Sequence, residues 1–160
     1  MKEITVEAKL ENLDKVQDFI SNELKSVAGD PVKLQTQISL AAEEIFVNIA
    51  RYAYGKNVSA KGSPSEQPLS EIGAVTVRVA VGKDIIIEFE DSGKPFNPLE
   101  ISDPNISLSI EERRIGGLGI FLVKKLMDDI KYRYKDNKNI LILIKKSDYP
   151  LKFPVGEIRW

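Results

Sequence analysis

The first part of the chain alternates apolar and polar residues and then repeats apolar residues at helical intervals. Alternation over Ile4–Leu10 predicts a half-buried strand. Helical spacing predicts a helix over residues 13–24, with Asn12 as its N-cap. The Asp-Pro pair at 30–31 predicts the start of a second helix, whose apolar stripe continues to about Tyr54.

The second part of the chain predicts two hairpins and one more helix. Two strands, 75–81 and 85–90, are joined by a short Gly-Lys-Asp turn. A helix is expected from residue 118 to about 129, followed by strands 131–135 and 140–145. These elements predict an α+β fold, a two-layer sandwich in which a mixed, largely antiparallel sheet carries helices on one face.

A chain of 160 residues is long enough for one domain with a buried core. We expect this domain to cover residues 1–146, with a C-terminal tail over 147–160. Residues 55–73 are rich in Gly, Ser, Pro, Lys and Glu and lack periodicity, so a loop is expected there. Its composition indicates no role.

The composition excludes several classes of chemistry. The chain has no histidine and no cysteine, so it cannot supply a disulfide, a thiol nucleophile, a Cys/His zinc site or a Ser-His-Asp triad. The net charge of −1 gives no electrostatic footprint for nucleic acid. The longest apolar run, Ile140–Ile144, is far too short to span a membrane, and a cytoplasmic location is expected.

The second predicted helix carries a first candidate site. Glu44 and Asn48 are four residues apart and therefore share one helix face. An amide oxygen is a suitable ligand for Mg²⁺, and a carboxylate can deprotonate a hydroxyl beside a phosphate. Arg51, three residues further on, is expected on the same side, whereas Glu43 points about 100° away from Glu44. An ordinary solvated helix face has the same spacing.

A second candidate site follows the strand that ends near residue 90. Asp91 is placed to accept a hydrogen bond from an exocyclic amine such as that of adenine. Gly93 allows the backbone to turn and to approach a flat ring closely. A simple turn has the same composition.

The third candidate site is Gly116-Gly117-Leu118-Gly119, which opens the third predicted helix. Glycines at a helix start leave backbone N–H groups free to bind an anion, and the helix dipole adds attraction. No Gly-Lys-Ser/Thr follows, so this is not a Walker A loop. A flexible glycine-rich helix start is the alternative.

In this order the three motifs resemble the N, G1 and G2 boxes of the Bergerat-type ATP-binding fold. Residues 42–50 and 116–128 are similar to the bacterial anti-sigma factor serine/threonine kinases, and the similarity extends over about 1–146. That resemblance implies an ATP- and Mg²⁺-dependent kinase that phosphorylates a Ser/Thr of an anti-sigma antagonist and sequesters a sigma factor. It also implies a homodimer.

The resemblance further assigns roles to residues. Asn48 would hold Mg²⁺, Glu44 would be the general base, and Asp91 would bind the adenine amine, with Gly93 beneath the ring. The segment 100–115 would form the ATP lid, and an arginine there would meet the γ-phosphate. The residues that bind the phosphates would be Gly117, Leu118 and Gly119, with Arg51 nearby.

One departure from that family is the last strand, where relatives carry a threonine near the adenine and Asn139–Leu143 contains none. Three other functions remain open on the sequence alone. They are an ATP-gated binding module without phosphotransfer, a detached histidine-kinase ATP domain whose phosphoacceptor lies in another chain, and a scaffold that does not bind ATP.

Overall fold

A computed structural model describes residues 1–29, 31–54, 73–105, 107 and 118–152. The strands are β1 (Lys2–Glu7), β2 (Ala74–Val81), β3 (Asp84–Asp91), β4 (Asp129–Lys135) and β5 (Lys138–Lys146). The helices are α1 (Leu13–Leu24), α2 (Val32–Asn48), which continues as a π-helix over Ile49–Ala53, and α3 (Leu118–Leu126). Short 3₁₀ turns occupy Leu10–Asn12 and Pro98–Glu100.

The described strands form one sheet in the order β1-β2-β3-β5-β4, and every pair in it is antiparallel. The α+β class with helices over one face is therefore confirmed, and the sheet is wholly antiparallel within the described residues rather than mixed. The β4–β5 hairpin turns through Asp136 and Asn137, whose φ angles are 53° and 60°. Positive φ at both turn positions is what a two-residue hairpin with right-handed twist requires.

One face of the sheet forms the core. Alternate residues of the central strands are fully buried against the helices, among them Val77, Ile87 and Leu143, and the largest buried helix side chain is Phe46. Truncating such a side chain to alanine costs about 2–5 kcal/mol of unfolding free energy. The core therefore fixes the position of α2 and α3 relative to the end of β3.

The other sheet face carries a charged ladder centred on Arg78. Its guanidinium donates to Glu3 Oε2 at 2.7 Å, Glu88 Oε1 at 2.7 Å and Glu90 Oε2 at 2.8 Å. Lys138 Nζ reaches Glu90 Oε1 at 2.6 Å. Hydrogen bonds from Arg78 and then from Lys138 lower the pKa of Glu90, so Glu90 is ionised at neutral pH.

Several predicted boundaries are wrong. Strand β1 ends at Glu7 because Leu10 already lies in a 3₁₀ turn. Helix α3 ends at Leu126, and β4 starts at Asp129, where the helix was expected to end. Asn12 occupies the N-cap position of α1 as predicted, but its side chain makes no capping hydrogen bond, and its amide donates to Glu7 O at 2.9 Å instead.

The segment after β5 packs against the α1–α2 connection. Val27 and Leu151 form an isolated β-bridge, and Ala28 N donates to Pro150 O at 2.9 Å. The division of the chain after residue 146 stays a prediction. Three predicted features fall wholly or mostly outside the described residues. They are Asp30 at the predicted start of the second helix, nearly all of the loop 55–73 and most of the segment 100–115. No helix in the described part is both long and apolar enough to span a bilayer.

Candidate functional site

Glu44 and Asn48 lie one turn apart on α2, and both are half-buried. The helix is held in place by its buried neighbours Ile45 and Phe46. Within the described helix residues 32–53, the Asn48 side chain makes no capping hydrogen bond to the turn that follows. The face predicted from the four-residue spacing therefore exists, and it lies beside the core stripe.

The helix changes from α to π directly after Asn48. A π-helix bonds each N–H to the carbonyl five residues back, so its turn is wider than an α turn, and such turns are frequent at functional sites. Arg51 lies in this wider turn and is exposed. The expected position of Arg51 on the Asn48 side was based on α-helical spacing, whereas this turn is π-helical. Both that position and its contact with a phosphate stay predictions.

The Glu44 carboxylate lies against the first turn of α3. A Cβ built on Gly119 would overlap Glu44 Oε2 and would lie 3.2 Å from Glu44 Cδ. A larger residue at position 119 would displace the carboxylate from this position. Two predicted site residues that are 75 positions apart in sequence are thus in direct contact. Leu118 begins the same helix and is exposed, whereas Gly117 lies outside the described residues.

Asp91 ends β3 and is almost fully buried, with 7% of its surface exposed. Its Oδ1 accepts hydrogen bonds from Gly93 N at 2.9 Å and from Asn139 Nδ2 at 3.0 Å. Burial raises the pKa of the Asp91 carboxyl, and the hydrogen bonds from Asn139 and Gly93 oppose that shift. A buried carboxylate with an oxygen left for another donor is suited to bind an amine.

Gly93 packs against the end of the π-helix. A Cβ there would come within 2.7 Å of the carbonyl carbon and the Cβ of Ala53, and Lys94 N donates to Ala53 O at 3.1 Å. The structure thus requires a glycine at 93 for a backbone contact that the sequence did not reveal. Its approach to an adenine ring stays a prediction.

Tyr54 is a further residue at this site that the sequence analysis missed. Its hydroxyl accepts from Ser92 N at 2.7 Å and donates to Ala74 O at 2.6 Å. Burial raises the pKa of Tyr54, so the hydroxyl keeps the proton that it donates. The tyrosine therefore ties the turn after β3 to the end of the helix and the start of β2.

Asn139 was also missed as a site residue. It lies opposite Asp91 in the β3–β5 register and is 5% exposed. The available signal was a polar residue directly before the run of Ile and Leu over 140–144, because the β3–β5 pairing places it beside the end of β3. The Asn139 amide donates to the Asp91 carboxylate directly.

The donor set fits magnesium. No group of three or more carboxylate, histidine or cysteine side chains that could hold a metal occurs among the described residues. An Mg²⁺ ion bound with a nucleotide usually takes one or two protein oxygen ligands and completes its shell with phosphate oxygens and water. The Asn48 amide offers such an oxygen, so the site is compatible with Mg²⁺.

Comparison with known proteins places these features in a family. Residues 6–145 match the histidine kinase-like ATPase domain. The chain is 27% identical over 124 residues to the serine-protein kinase RsbW of Listeria monocytogenes serovar 1/2a, a match that covers 74% of this chain and 71% of that protein. It is 30% identical over 111 residues to RsbW of Staphylococcus epidermidis, covering 66% of this chain and 62% of that one.

The fold also matches a solved structure. A crystal structure of the RsbU and RsbW domains of a Mycobacterium tuberculosis protein superposes with a TM-score of 0.53 at 13% identity. The match covers 96% of this chain and 34% of the crystallised chain, so the present chain spans about a third of that protein. The chain therefore belongs to the histidine kinase-like ATPase domain family, as its three motifs predicted, and is similar to RsbW serine-protein kinases.

Proposed function

We propose that this protein is a Mg²⁺- and ATP-dependent kinase that phosphorylates a serine or threonine of a small anti-sigma antagonist and that also sequesters a sigma factor. Family membership and similarity to proteins named serine-protein kinase RsbW support the proposal. The observation that carries it is the contact between Glu44 and Gly119, which brings a carboxylate to the helix start expected to hold phosphates. The protein and both of these partners would act in the cytoplasm.

In this proposal the adenine and the phosphates bind at opposite ends of the site. Asp91, buried at the end of β3, accepts a hydrogen bond from the adenine amine, and Gly93 lies in the same turn. Backbone N–H groups of Leu118 and Gly119, at the start of α3, bind phosphate oxygens, and the sequence motif adds Gly117, which lies outside the described residues. Asn48 would hold Mg²⁺, which when bound neutralises phosphate charge.

The γ-phosphoryl group is then transferred to a hydroxyl of the partner, which the site positions and a carboxylate base deprotonates. The hydroxyl oxygen of the partner's serine or threonine forms a bond to the γ-phosphorus, and the bond between that phosphorus and the β–γ bridging oxygen breaks, which releases ADP. The hydroxyl proton passes to Glu44. A general base of this kind contributes about 10²–10⁴-fold to the rate. The half-buried position of Glu44 against Gly119 holds the carboxylate in place before the partner arrives.

A transfer assay with a matched control tests the proposal. The purified protein is incubated with γ-labelled ATP, Mg²⁺ and a small anti-sigma antagonist protein of the STAS type. Glu44→Gln should lower transfer about 10²-fold or more, whereas Glu43→Gln, which removes the exposed carboxylate next to it, should leave the rate within about twofold of the parent. The label on the antagonist should be acid-stable, as a phosphoester of serine or threonine is.

Other outcomes assign the alternatives. ATP binding without any labelled antagonist, together with unchanged partner binding by Glu44→Gln, would make the protein a nucleotide-gated binding module. Acid-labile label on a histidine of another protein would make it a detached histidine-kinase domain. If the parent binds no nucleotide at all, the chain is a scaffold and the proposal fails.

We also propose that the protein forms a homodimer. Strand β1 lies at an edge of the described sheet, and the exposed Leu10 follows it. An edge strand offers unpaired N–H and C=O groups to a second copy. Light scattering at micromolar concentration should give a mass near twice 17.9 kDa. A mass of a single chain at the concentration where transfer occurs would contradict the dimer.

A further inference from the structure

The side-chain amide of Asn139 makes hydrogen bonds to several residues of the turn after β3. Its Nδ2 donates to Asp91 Oδ1 at 3.0 Å and to Lys94 O at 2.9 Å, with a longer contact of 3.4 Å to Gly93 O. Its Oδ1 accepts from Phe96 N at 3.0 Å. A side chain that is 5% exposed and makes this many bonds to one turn fixes the shape of that turn.

The same amide is held from the other side by β4. Tyr132 donates its hydroxyl proton to Asn139 Oδ1 at 2.7 Å. The direction of this bond, with the one from Phe96 N, identifies the oxygen of the amide and therefore places the NH₂ group towards Asp91. Asn139 thus faces the carboxylate as a donor.

The hydrogen bond from Asn139 determines which oxygen of the Asp91 carboxylate can accept a hydrogen bond from a ligand. Within the described part of the chain, both hydrogen bonds to this carboxylate arrive at Oδ1, from Asn139 and from Gly93. Oδ2 is therefore the oxygen that can accept from a ligand. An amide is the group this position needs, because it must donate to a carboxylate and to two carbonyls and also accept from two donors.

We propose that Asn139 is a positioning residue that makes the site selective for 6-aminopurine nucleotides, by holding Asp91 with Oδ2 free to accept from the purine amine. This inference rests on the proposed binding of ATP at Asp91. A 6-oxopurine such as that of inosine triphosphate presents an acceptor in place of the amine and would face the carboxylate oxygen unfavourably. Substitution of Asn139 should therefore lower the selectivity for the 6-aminopurine over the 6-oxopurine more than it weakens binding of the phosphates.

The test compares Mg·ATP and Mg·ITP (inosine triphosphate) binding by calorimetry. A hydrogen bond to a charged group contributes about 1.5–3 kcal/mol, so the parent should prefer ATP by about 10- to 100-fold. In Asn139→Ala the ratio should fall by about tenfold, mainly through loss of ATP affinity, while ITP affinity changes little. Retained ITP binding shows that the variant is folded.

Two further variants make the test specific. Tyr132→Phe removes one bond to Asn139 Oδ1 but leaves the donor to Asp91, so its ratio should stay within about threefold of the parent. Asn139→Ser, which keeps a small polar group at the strand end, should show the same loss of selectivity as Asn139→Ala and serves if the alanine variant does not fold.

The outcomes separate this inference from the proposed function. Equal weakening of ATP and ITP in both Asn139 variants would show a purely structural role and would overturn the inference. A parent that binds both nucleotides equally would also overturn it, while leaving ATP binding itself intact. A parent that binds neither nucleotide would instead overturn the proposed function.

Discussion

The substitution Gly119→Ala is expected to remove catalysis while leaving the fold almost unchanged. The added Cβ would overlap Glu44 Oε2 and would lie 3.2 Å from Cδ and 3.7 Å from Cβ of the same residue. The carboxylate must withdraw by about 1 Å to reach an ordinary contact distance. It can do so, because only the far end of a half-buried, flexible side chain has to move.

The two consequences of this movement differ greatly in size. Alanine is favoured over glycine within a helix by up to about 1 kcal/mol, which offsets the local strain, so the free energy of unfolding should change by less than about 1 kcal/mol. Displacing a reacting group by 1 Å can lower a rate by about 10²-fold. Gly119→Ala should therefore lose most of the phosphotransfer rate and almost none of the stability.

A double-mutant cycle separates Glu44 from the backbone of Gly119. Transfer to the antagonist is measured by single-turnover kinetics, and Mg·ATP affinity by calorimetry, for the parent, Gly119→Ala, Glu44→Ala and the double variant. In the Glu44→Ala background the added methyl group has no carboxylate to displace, so Gly119→Ala should cause little further loss of rate. Thermal unfolding of all four proteins provides the measure of stability.

Two results would refute this reasoning. A parental transfer rate in Gly119→Ala would show that Glu44 does not act from the position it occupies against α3. A loss of Mg·ATP affinity that is equally large with and without Glu44 would show that the methyl group blocks the phosphates directly.

Three other substitutions test the surroundings of the site. Asp91→Asn keeps both hydrogen bonds to Oδ1 and should lose ATP binding. Burial raises the pKa of Asp91 in the folded parent. The thermal stability of the variant relative to the parent should therefore increase as the pH rises from below about 3.9, the pKa of Asp in the unfolded chain, to 7. Gly93→Ala should lower the free energy of unfolding by about 1–3 kcal/mol in urea denaturation, because its methyl group meets the backbone of Ala53. Arg78→Leu should destabilise by about 2 kcal/mol at pH 7. Because Arg78 lowers the pKa of Glu90, this loss should shrink as the pH falls below about 4.3, the unfolded value of that pKa, and Glu90 becomes protonated.

Each of these three substitutions has a contradicting result, and Arg78→Leu also has a matched control variant. A constant stability difference between Asp91→Asn and the parent across pH 3–7 would contradict the burial of that carboxylate. A neutral effect of Gly93→Ala would contradict the close packing on the π-helix. Arg133→Leu removes a more exposed partner of Glu88, 3.7 Å away, and should cost less than about 1 kcal/mol; a loss as large as that of Arg78→Leu would contradict the central role of Arg78 in the ladder.

The parts of this fold that the sequence predicts are those set by local periodicity. The span of α1 and the two hairpins follow from apolar spacing and turn residues, and the pairing of Glu44 with Asn48 follows from the four-residue repeat of an α-helix. The change to a π-helix after Asn48 was not predictable, since residues 49–53 continue an ordinary helical pattern. In the fold, the turn at Gly93 and Lys94 packs on Ala53 at the end of this π-helix, a tertiary contact that local periodicity does not encode.

The contacts that complete the site join residues far apart in sequence. Asn139 lies 48 positions after Asp91 in the chain, and only the β3–β5 register places the two side by side. Gly119 approaches Glu44 because α2 and α3 pack together over the sheet. Motif spacing identified Glu44, Asp91 and Gly119 separately but gave no information on which of them meet.

Mg²⁺-dependent binding of ATP tests the central claim most directly. Calorimetric titration of the parent with a non-hydrolysable ATP analogue, with Mg²⁺ and with a chelator, should show one site per chain whose affinity falls by at least about tenfold when Mg²⁺ is removed. Asn48→Ala should bind with the same weak affinity in both conditions. Binding that is independent of Mg²⁺ in the parent, or an Asn48→Ala variant that keeps the full effect of Mg²⁺, would contradict the account of this site.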